Sequence, residues 1–259
     1  MNRDARWVGV GGGTDGDRVH AVFRDGIGCI VLPPNWDMSS TDKLPTIDLS
    51  YRTDTTHLPW PMGDVVTPTP LDPRISESAL SAAETWAFER SSPEQQTVSL
   101  RVLHKGEIVL ERYADGFDIT TRTRTWSTAK SIASTLIGMK VDSEILALDA
   151  PLAFEWLPAI KDRPAPDPRD AITLRHALHM SSGLYPVDSF GMEYATGSGL
   201  AYWAGASSVD GMRNRGLIRE PGTFWDYENY DTLLAVFALK QTFTNESDYQ
   251  LFPYKALFL

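Results

Sequence analysis

The stretch TWSTAKSIASTLIGMKVDSEILALDAPL, residues 125–152, decides the fold. Its first half carries apolar residues at the spacing of one helix face, which predicts a helix over Ser127–Met139. Ser127 and Lys130 lie three positions apart at the start of this helix, so their side chains share one face. A serine hydroxyl becomes a strong nucleophile only when a base takes its proton, and a lysine amine in a dry pocket can be that base. The pattern therefore predicts a lysine-assisted serine nucleophile.

This Ser-x-x-Lys pattern is weak by itself, because Ser40 and Lys43 repeat it. The second copy lies among turn-forming residues before Pro45, and no apolar helical run follows it. We assign that copy no chemistry. For Ser127 the structural alternative is a helix-capping serine followed by a surface lysine.

A Tyr-x-Asn tripeptide, Tyr227 to Asn229, lies downstream of the serine and favours the catalytic interpretation. A tyrosine can pass a proton between nucleophile and leaving group, and an asparagine can hold a lysine amine or orient substrate through its amide. We predict Ser127, Lys130 and Tyr227 as catalytic residues and Asn229 as a substrate-binding residue. The alternative is an ordinary loop ahead of a helix that begins at Asp231, with Asn229 near its cap.

Aromatic residues are frequent in the same region, and they include Trp203, Phe224, Trp225 and Tyr227. Such side chains pack in cores more often than they line clefts, so both possibilities stay open. Because it stands next but one to Tyr227, we predict Trp225 as a second substrate-binding residue.

The bulk composition excludes several function classes. The chain has 259 residues, of which 42% are hydrophobic and 22% charged, values typical of a globular protein with its own core. The net charge of -10 and the pI of about 4.9 argue against a nucleic-acid partner. A single cysteine, Cys29, allows no intrachain disulfide, and no apolar run is long enough to span a bilayer. The N-terminus does not resemble a signal peptide, which favours the cytoplasm over the periplasm while the compartment and the oligomeric state stay open.

No metal or cofactor is expected. The glycines at 11, 13 and 16 fit a dinucleotide fingerprint, but the residues that follow are typical of a strand rather than of a helix. His176 and His179 share a helix face, yet no further ligand lies at a convincing spacing.

The remaining sequence predicts an N-terminal extension over residues 1–74, followed by a main domain over residues 75–259. The extension holds two short strands, and the main domain opens with a helix and a β-hairpin before a mostly helical region. The predicted elements are strands at Val19–Phe23 and Gly28–Leu32, a helix over 76–90 capped by Ser76, a hairpin turning at Lys105-Gly106 with one face buried, a helix capped by Thr173, a helix over Asp231–Lys240, and loops at 163–168 and 191–205.

Four blocks in this order resemble the serine β-lactamase-related hydrolases of the penicillin-binding fold. They are the nucleophile helix, an Leu-Asp-x-Pro segment, a helix ending in Ser-Gly-Leu, and a Pro-Gly-x-x-aromatic-x-Tyr-x-Asn passage. The residues concerned are Ser127 and Lys130; Leu148, Asp149 and Pro151; Ser182, Gly183 and Leu184; and Pro221, Gly222, Trp225, Tyr227 and Asn229.

The resemblance implies an α+β fold in which an antiparallel sheet, represented by the hairpin, accompanies a mostly helical region. It implies a small ester or amide substrate, acylation at Ser127 with Lys130 as base, assistance by Tyr227, and Asn229 positioning Lys130 or the substrate. The backbone N–H of Ser127 would be one oxyanion donor. The extension and the tryptophan-rich loops are more similar to the esterase and 6-aminohexanoate-oligomer hydrolase branch than to a dedicated β-lactamase.

One departure concerns the family's third motif, Lys-Thr-Gly or His-x-Gly, which nothing after Asn229 matches. His104-Lys105-Gly106 has suitable letters, but it precedes the nucleophile and lies in the predicted hairpin turn. We therefore expect a chain that lacks the C-terminal strands of the family. The alternative function is an inactive fragment or a ligand-binding protein that keeps the cleft.

Overall fold

A computed structural model describes residues 6–11, 19–48, 50, 54–90, 92, 94–157, 166–186 and 197–258. The glycines at 13 and 16 and part of both predicted loops lie outside these residues. By contacts the chain divides into two units, one formed by Met1–Tyr51 with Ser127–Leu259 and the other by Arg52–Trp126. The proposed boundary at residue 75 stays a prediction.

The first unit begins with a small antiparallel sheet in the order β1 (Trp7–Val10), β2 (Val19–Arg24) and β3 (Gly28–Val31). The second and third strands confirm the two predicted ones to within a residue at their ends. The first strand was not predicted, because four residues beside a glycine-rich run give little alternation to recognise. The sheet has a separate small core of Val22, Leu32 and Leu44.

The second unit contains α1 (Glu77–Phe88) and a hairpin of β4 (Ser99–His104) and β5 (Glu107–Tyr113). Ser76 caps the helix as predicted, since its Oγ accepts from the backbone N–H of Ala79 at 3.2 Å. The hairpin turn is also confirmed, with Lys105 and Gly106 both at positive φ. The prediction of a buried hairpin face is wrong: no residue of either strand is fully buried, because two strands offer little cover to each other's faces.

The rest of the first unit is helical. Its helices are α2 (Thr128–Asp142), α3 (Leu174–Leu178), α4 (Gly199–Ala204), α5 (Ser208–Arg213), α6 (Asn229–Lys240) and α7 (Glu246–Ala256). Helix α6 packs against α2, α3 and α5. Its buried residues Leu234, Ala235 and Leu239 lie at the centre of the main core. The apolar face of α6 therefore fixes the end of α2 that carries Ser127 relative to the loop that carries Tyr227.

The helical region differs from the sequence prediction at several points. Helix α6 begins at Asn229, two residues earlier than predicted, and the predicted loop over 191–205 contains α4. Helix α7 was not predicted, because it includes Pro253 and few apolar residues at helical spacing. None of the helices described is long and apolar enough to cross a membrane.

Candidate active site

Ser127 is the N-cap residue of α2, but its hydroxyl does not cap the helix. The structure gives it no side-chain capping hydrogen bond, so the capping alternative fails for this residue. Its Oγ instead accepts from Lys130 Nζ at 3.3 Å. The preceding residue, Trp126, has a φ of 46°, a left-handed conformation that is costly for a bulky side chain. Such backbone strain is concentrated at functional sites.

Tyr227 reaches the same oxygen from the other side of the site. Its phenol donates to Ser127 Oγ at 2.7 Å, across 100 residues of sequence. The Lys130 ammonium lies 5.1 Å from the centre of the Tyr227 ring. The Ser127 hydroxyl and the charge of Lys130 hold the pKa of Tyr227 below its ordinary value, although partial burial acts against them. Two proton-carrying groups therefore converge on one serine oxygen.

Asn229 makes the third contact of the cluster. Its Oδ1 accepts from Lys130 Nζ at 2.6 Å, and its Nδ2 donates to Ser198 Oγ at 3.1 Å. Asn229 is the first residue of α6 rather than its cap, so its side chain is directed by the helix it begins. The structure thus brings Ser127, Lys130, Tyr227 and Asn229 into one hydrogen-bonded set.

Hydrogen bonds to Met180 and Ser182, at and just before the Ser-Gly-Leu segment, hold residues 224–228, here called the tyrosine loop, in place. The backbone N–H of Asp226 donates to the Met180 carbonyl at 3.0 Å. One turn further on, Asp231 accepts from the Ser182 backbone N–H at 3.1 Å and from Ser182 Oγ at 2.5 Å. Burial raises the pKa of Asp231 to about 6, with the Ser182 bonds acting in the opposite direction. These bonds lie on either side of Tyr227 and Asn229.

Trp225 does not belong to the core. Its side chain is 65% exposed, and it lines a cleft of about 440 Å³ together with Phe224 and Tyr185. Ser127 and Lys130 are outside the lining of that cleft. The other aromatic candidate, Trp203, is also exposed, at 52%. The core alternative therefore fails for these residues, while the substrate-binding role of Trp225 stays a prediction.

The expectation of a dry pocket around the nucleophile is not met. Ser127 is exposed and Lys130 is only partly buried. The phenol of Tyr227 covers the serine from one direction, but Tyr227 itself is 49% exposed. Since the serine lies at the very end of α2, the apolar body of that helix does not enclose it. Among the described residues, no group of His, Cys, Asp or Glu side chains is arranged to hold a metal ion.

Comparison with known proteins decides the family. The sequence profile of the beta-lactamase family matches residues 87–243, which is more than half of the chain and includes Ser127, Lys130, Tyr227 and Asn229. This chain belongs to the β-lactamase family. Its fold is therefore the β-lactamase/transpeptidase-like fold, and its relatives are serine hydrolases of amide and ester bonds. No curated protein matches the chain.

Three solved structures are similar to this β-lactamase-family chain at low identity. A candidate 6-aminohexanoate-dimer hydrolase from Bacillus anthracis is 16% identical, with a TM-score of 0.45, over 58% of this chain and 41% of its own. A D-stereospecific amidohydrolase from Streptomyces sp. is 20% identical, with a TM-score of 0.42, over 57% and 45%. A candidate β-lactamase from Bacteroides dorei DSM 17855 is 19% identical, with a TM-score of 0.41, over 66% and 46%. The chain spans less than half the length of each of them.

Two polar contacts of this β-lactamase-family site were not predicted from the sequence. Ser198 was not singled out, because a serine in a glycine-rich segment has no pattern that links it to a helix 31 residues away. Asp231 was noted only as an acidic residue near a helix start. Its bond to Ser182 could have been suspected from the Ser-Gly-Leu segment, since a buried carboxylate needs donors.

Proposed function

We propose that this chain is a serine hydrolase that cleaves an ester or amide bond through a covalent acyl-enzyme at Ser127. The convergence of Tyr227 Oη and Lys130 Nζ on Ser127 Oγ, at 2.7 and 3.3 Å, carries the proposal. A serine with two such neighbours and no capping bond is placed for proton transfer, as nucleophilic catalysis requires.

In the proposed reaction Ser127 Oγ attacks the carbonyl carbon of the substrate, and Lys130, in its uncharged form, takes the serine proton. The tetrahedral intermediate collapses as the bond to the leaving group breaks. Tyr227 gives its proton to the departing oxygen or nitrogen and receives in exchange the proton that Lys130 took from Ser127. Water then attacks the ester formed at Ser127, its hydroxyl joins the acyl group to give the acid, and its remaining proton returns to Ser127 Oγ. Asn229 holds Lys130 throughout.

Position favours the backbone N–H of Ser127 as an oxyanion donor, since it lies at the N-terminus of α2, where negative charge is stabilised. We assign the exposed aromatic residues Trp225 and Phe224 to substrate contact, because the cleft they line adjoins the tyrosine loop in sequence. The same cleft includes the charged residues Arg219, Asp226 and Glu228, and a cleft that combines aromatic and polar groups suits a small ester or amide.

A neutral fluorophosphonate probe tests this function. The folded protein should become covalently labelled, and mass spectrometry should place the label on Ser127. The Ser127→Ala variant should lose the label, while Ser40→Ala, which alters the other Ser-x-x-Lys copy, should keep it. Circular dichroism checks that both variants are folded. A folded wild-type protein that takes no label would contradict the proposal and favour a ligand-binding protein.

A further inference from the structure

The amide of Asn229 is held at both of its ends. Lys130, in α2, donates to Oδ1 at 2.6 Å, and Ser198, the residue before α4, accepts from Nδ2 at 3.1 Å. The two partners are 99 and 31 residues away from Asn229 in sequence. Three separate segments of one unit therefore meet at a single side chain.

A single contact would not define the orientation of this amide. The last torsion of an asparagine side chain is broad, and a lysine stem is flexible, so the pair could move together. A second contact at the opposite end fixes the amide plane. Lys130 donates an N–H to the amide oxygen, so the amide nitrogen faces the opposite way and needs an acceptor such as a hydroxyl.

The Ser198 hydroxyl contacts Asn229 and does not cap the helix that Ser198 precedes. Ser198 is the N-cap residue of α4, yet its side chain makes no capping hydrogen bond. Ser207, the N-cap residue of α5, has the same chemistry, but its Oγ accepts from the Asp210 backbone N–H at 3.1 Å. Two serines at the same helix position, nine residues apart, thus have different uses.

We infer that Ser198 is a positioning residue for the proposed hydrolysis, acting through Asn229. The inference rests on the proposed function. By fixing the Asn229 amide, Ser198 restricts where Lys130 can place its amine, and so keeps Nζ near Ser127 Oγ. Loss of the Ser198 hydroxyl slows the acylation of Ser127 without changing any group that exchanges a proton with it.

The experiment measures the second-order rate of Ser127 labelling by the fluorophosphonate. Ser198→Ala should reduce this rate about fivefold, the effect of losing one ordinary neutral hydrogen bond. Ser198→Thr keeps the hydroxyl and should restore most of the rate. Ser207→Ala is the matched control, since it removes a helix cap in the same unit but should leave the rate unchanged.

A double-mutant cycle separates positioning from a general structural effect. In an Asn229→Ala background, Ser198→Ala should cause no further loss of rate, because the proposed effect of Ser198 passes through the amide that is then missing. An equal loss in both backgrounds would overturn the inference, and so would a Ser198→Ala protein that labels as fast as the wild type.

A wild-type protein that takes no label would contradict the proposed function. A second measurement still tests the inference about Ser198 in that case. The side-chain amide signals of Asn229 in a nitrogen–proton NMR spectrum report its hydrogen bonds directly. Ser198→Ala should shift them and speed their hydrogen exchange, whereas Ser207→Ala should not. Signals that are unchanged in Ser198→Ala would show that Ser198 does not hold the amide.

Discussion

Among the acidic residues that the structure describes near the proposed site, Asp231 is the most buried, with 3% of the residue exposed. Its pKa of about 6 results mainly from that burial, which the two bonds from Ser182 offset only in part. Protonation would suit this place well. A neutral Asp231 could donate to Ser182 Oγ with one oxygen and accept from the Ser182 backbone N–H with the other.

This environment makes stability depend on pH in a definite direction. The pKa of Asp231 is raised from 3.8 in the unfolded chain to about 6 in the native state. The native state therefore binds the proton more tightly. The resulting stabilisation is complete below about pH 4 and is lost as the pH rises through about 6. Two pKa units correspond to about 3 kcal/mol.

Asp231→Asn should remove this dependence, because an asparagine amide has the hydrogen-bonding pattern of the protonated acid. We expect the variant to be more stable than the wild type above pH 7, by up to about 3 kcal/mol, and equal to it near pH 4. Urea unfolding at a series of pH values measures the difference. A variant that is less stable than the wild type at pH 8 would mean that the ionised carboxylate is favourable there.

At the scale of single residues, the sequence was enough to predict the side chains that belong to a motif. It did not predict the side chains that hold those motif residues in place. Ser127 and Lys130 are linked by helical spacing, which is local and readable. Tyr227 was predicted from its Tyr-x-Asn tripeptide and then supported by the resemblance, because no local spacing links it to Ser127 across the 100 residues that their 2.7 Å contact spans. Ser198 had neither kind of signal.

At the scale of elements, the turn after α3 depends on a glycine. Gly183 has a φ of 77°, and a Cβ on it would lie 2.3 Å from the Arg219 carbonyl oxygen. The Gly183 carbonyl also accepts two hydrogen bonds, from the backbone N–H groups of Ile218 and Arg219. A side chain would therefore strain the backbone and push apart two segments that are bonded together.

Two glycine-to-alanine substitutions should have opposite effects. Gly183→Ala should lower the free energy of unfolding by about 3 kcal/mol or more, from left-handed strain and overpacking combined. Gly138→Ala, in the exposed middle of α2 with open space around its Cα, should raise it by about 1 kcal/mol. Chemical denaturation measures both. A Gly183→Ala protein as stable as the wild type would show that the turn can rearrange.

The sequence predicted the elements that have a strong period or a strong cap. Helix α1 has its capping serine and α2 its apolar face, and both were placed within three residues of their ends. Helices α4 and α5 have six residues each, too few to show a period. Their positions depend on packing, of α5 against α6 and of α4 against β3, and local spacing does not contain such long-range contacts.

At the scale of the whole molecule, the family assignment and the charge can both be taken from the sequence. The match over residues 87–243 includes the nucleophile helix, the Ser-Gly-Leu turn and α6, so it covers every element that positions the proposed site. The net charge of -10 acts on any approaching substrate, whatever the details of the cleft. Next to the nucleophile, however, lies Lys130, whose Nζ is 3.3 Å from Ser127 Oγ and whose charge has the opposite sign when the amine is protonated.

The overall negative charge and the charge of Lys130 should have opposite effects on the rate for an anionic substrate. The dependence of that rate on ionic strength distinguishes the two effects. Raising the ionic strength from about 0.01 M to about 0.15 M shortens the screening length from about 30 Å to about 8 Å. The long-range repulsion between the acidic protein and an anionic substrate becomes weaker, whereas a direct contact at the site hardly changes. We expect kcat/KM for a nitrophenyl ester with a carboxylate tail to rise roughly twofold over this range. A neutral nitrophenyl ester of the same length is the control and should show no change. If the rate for the anionic ester fell instead, the local charge of Lys130 would outweigh the acidic surface, and carboxylate-bearing substrates would be the ones that this site attracts.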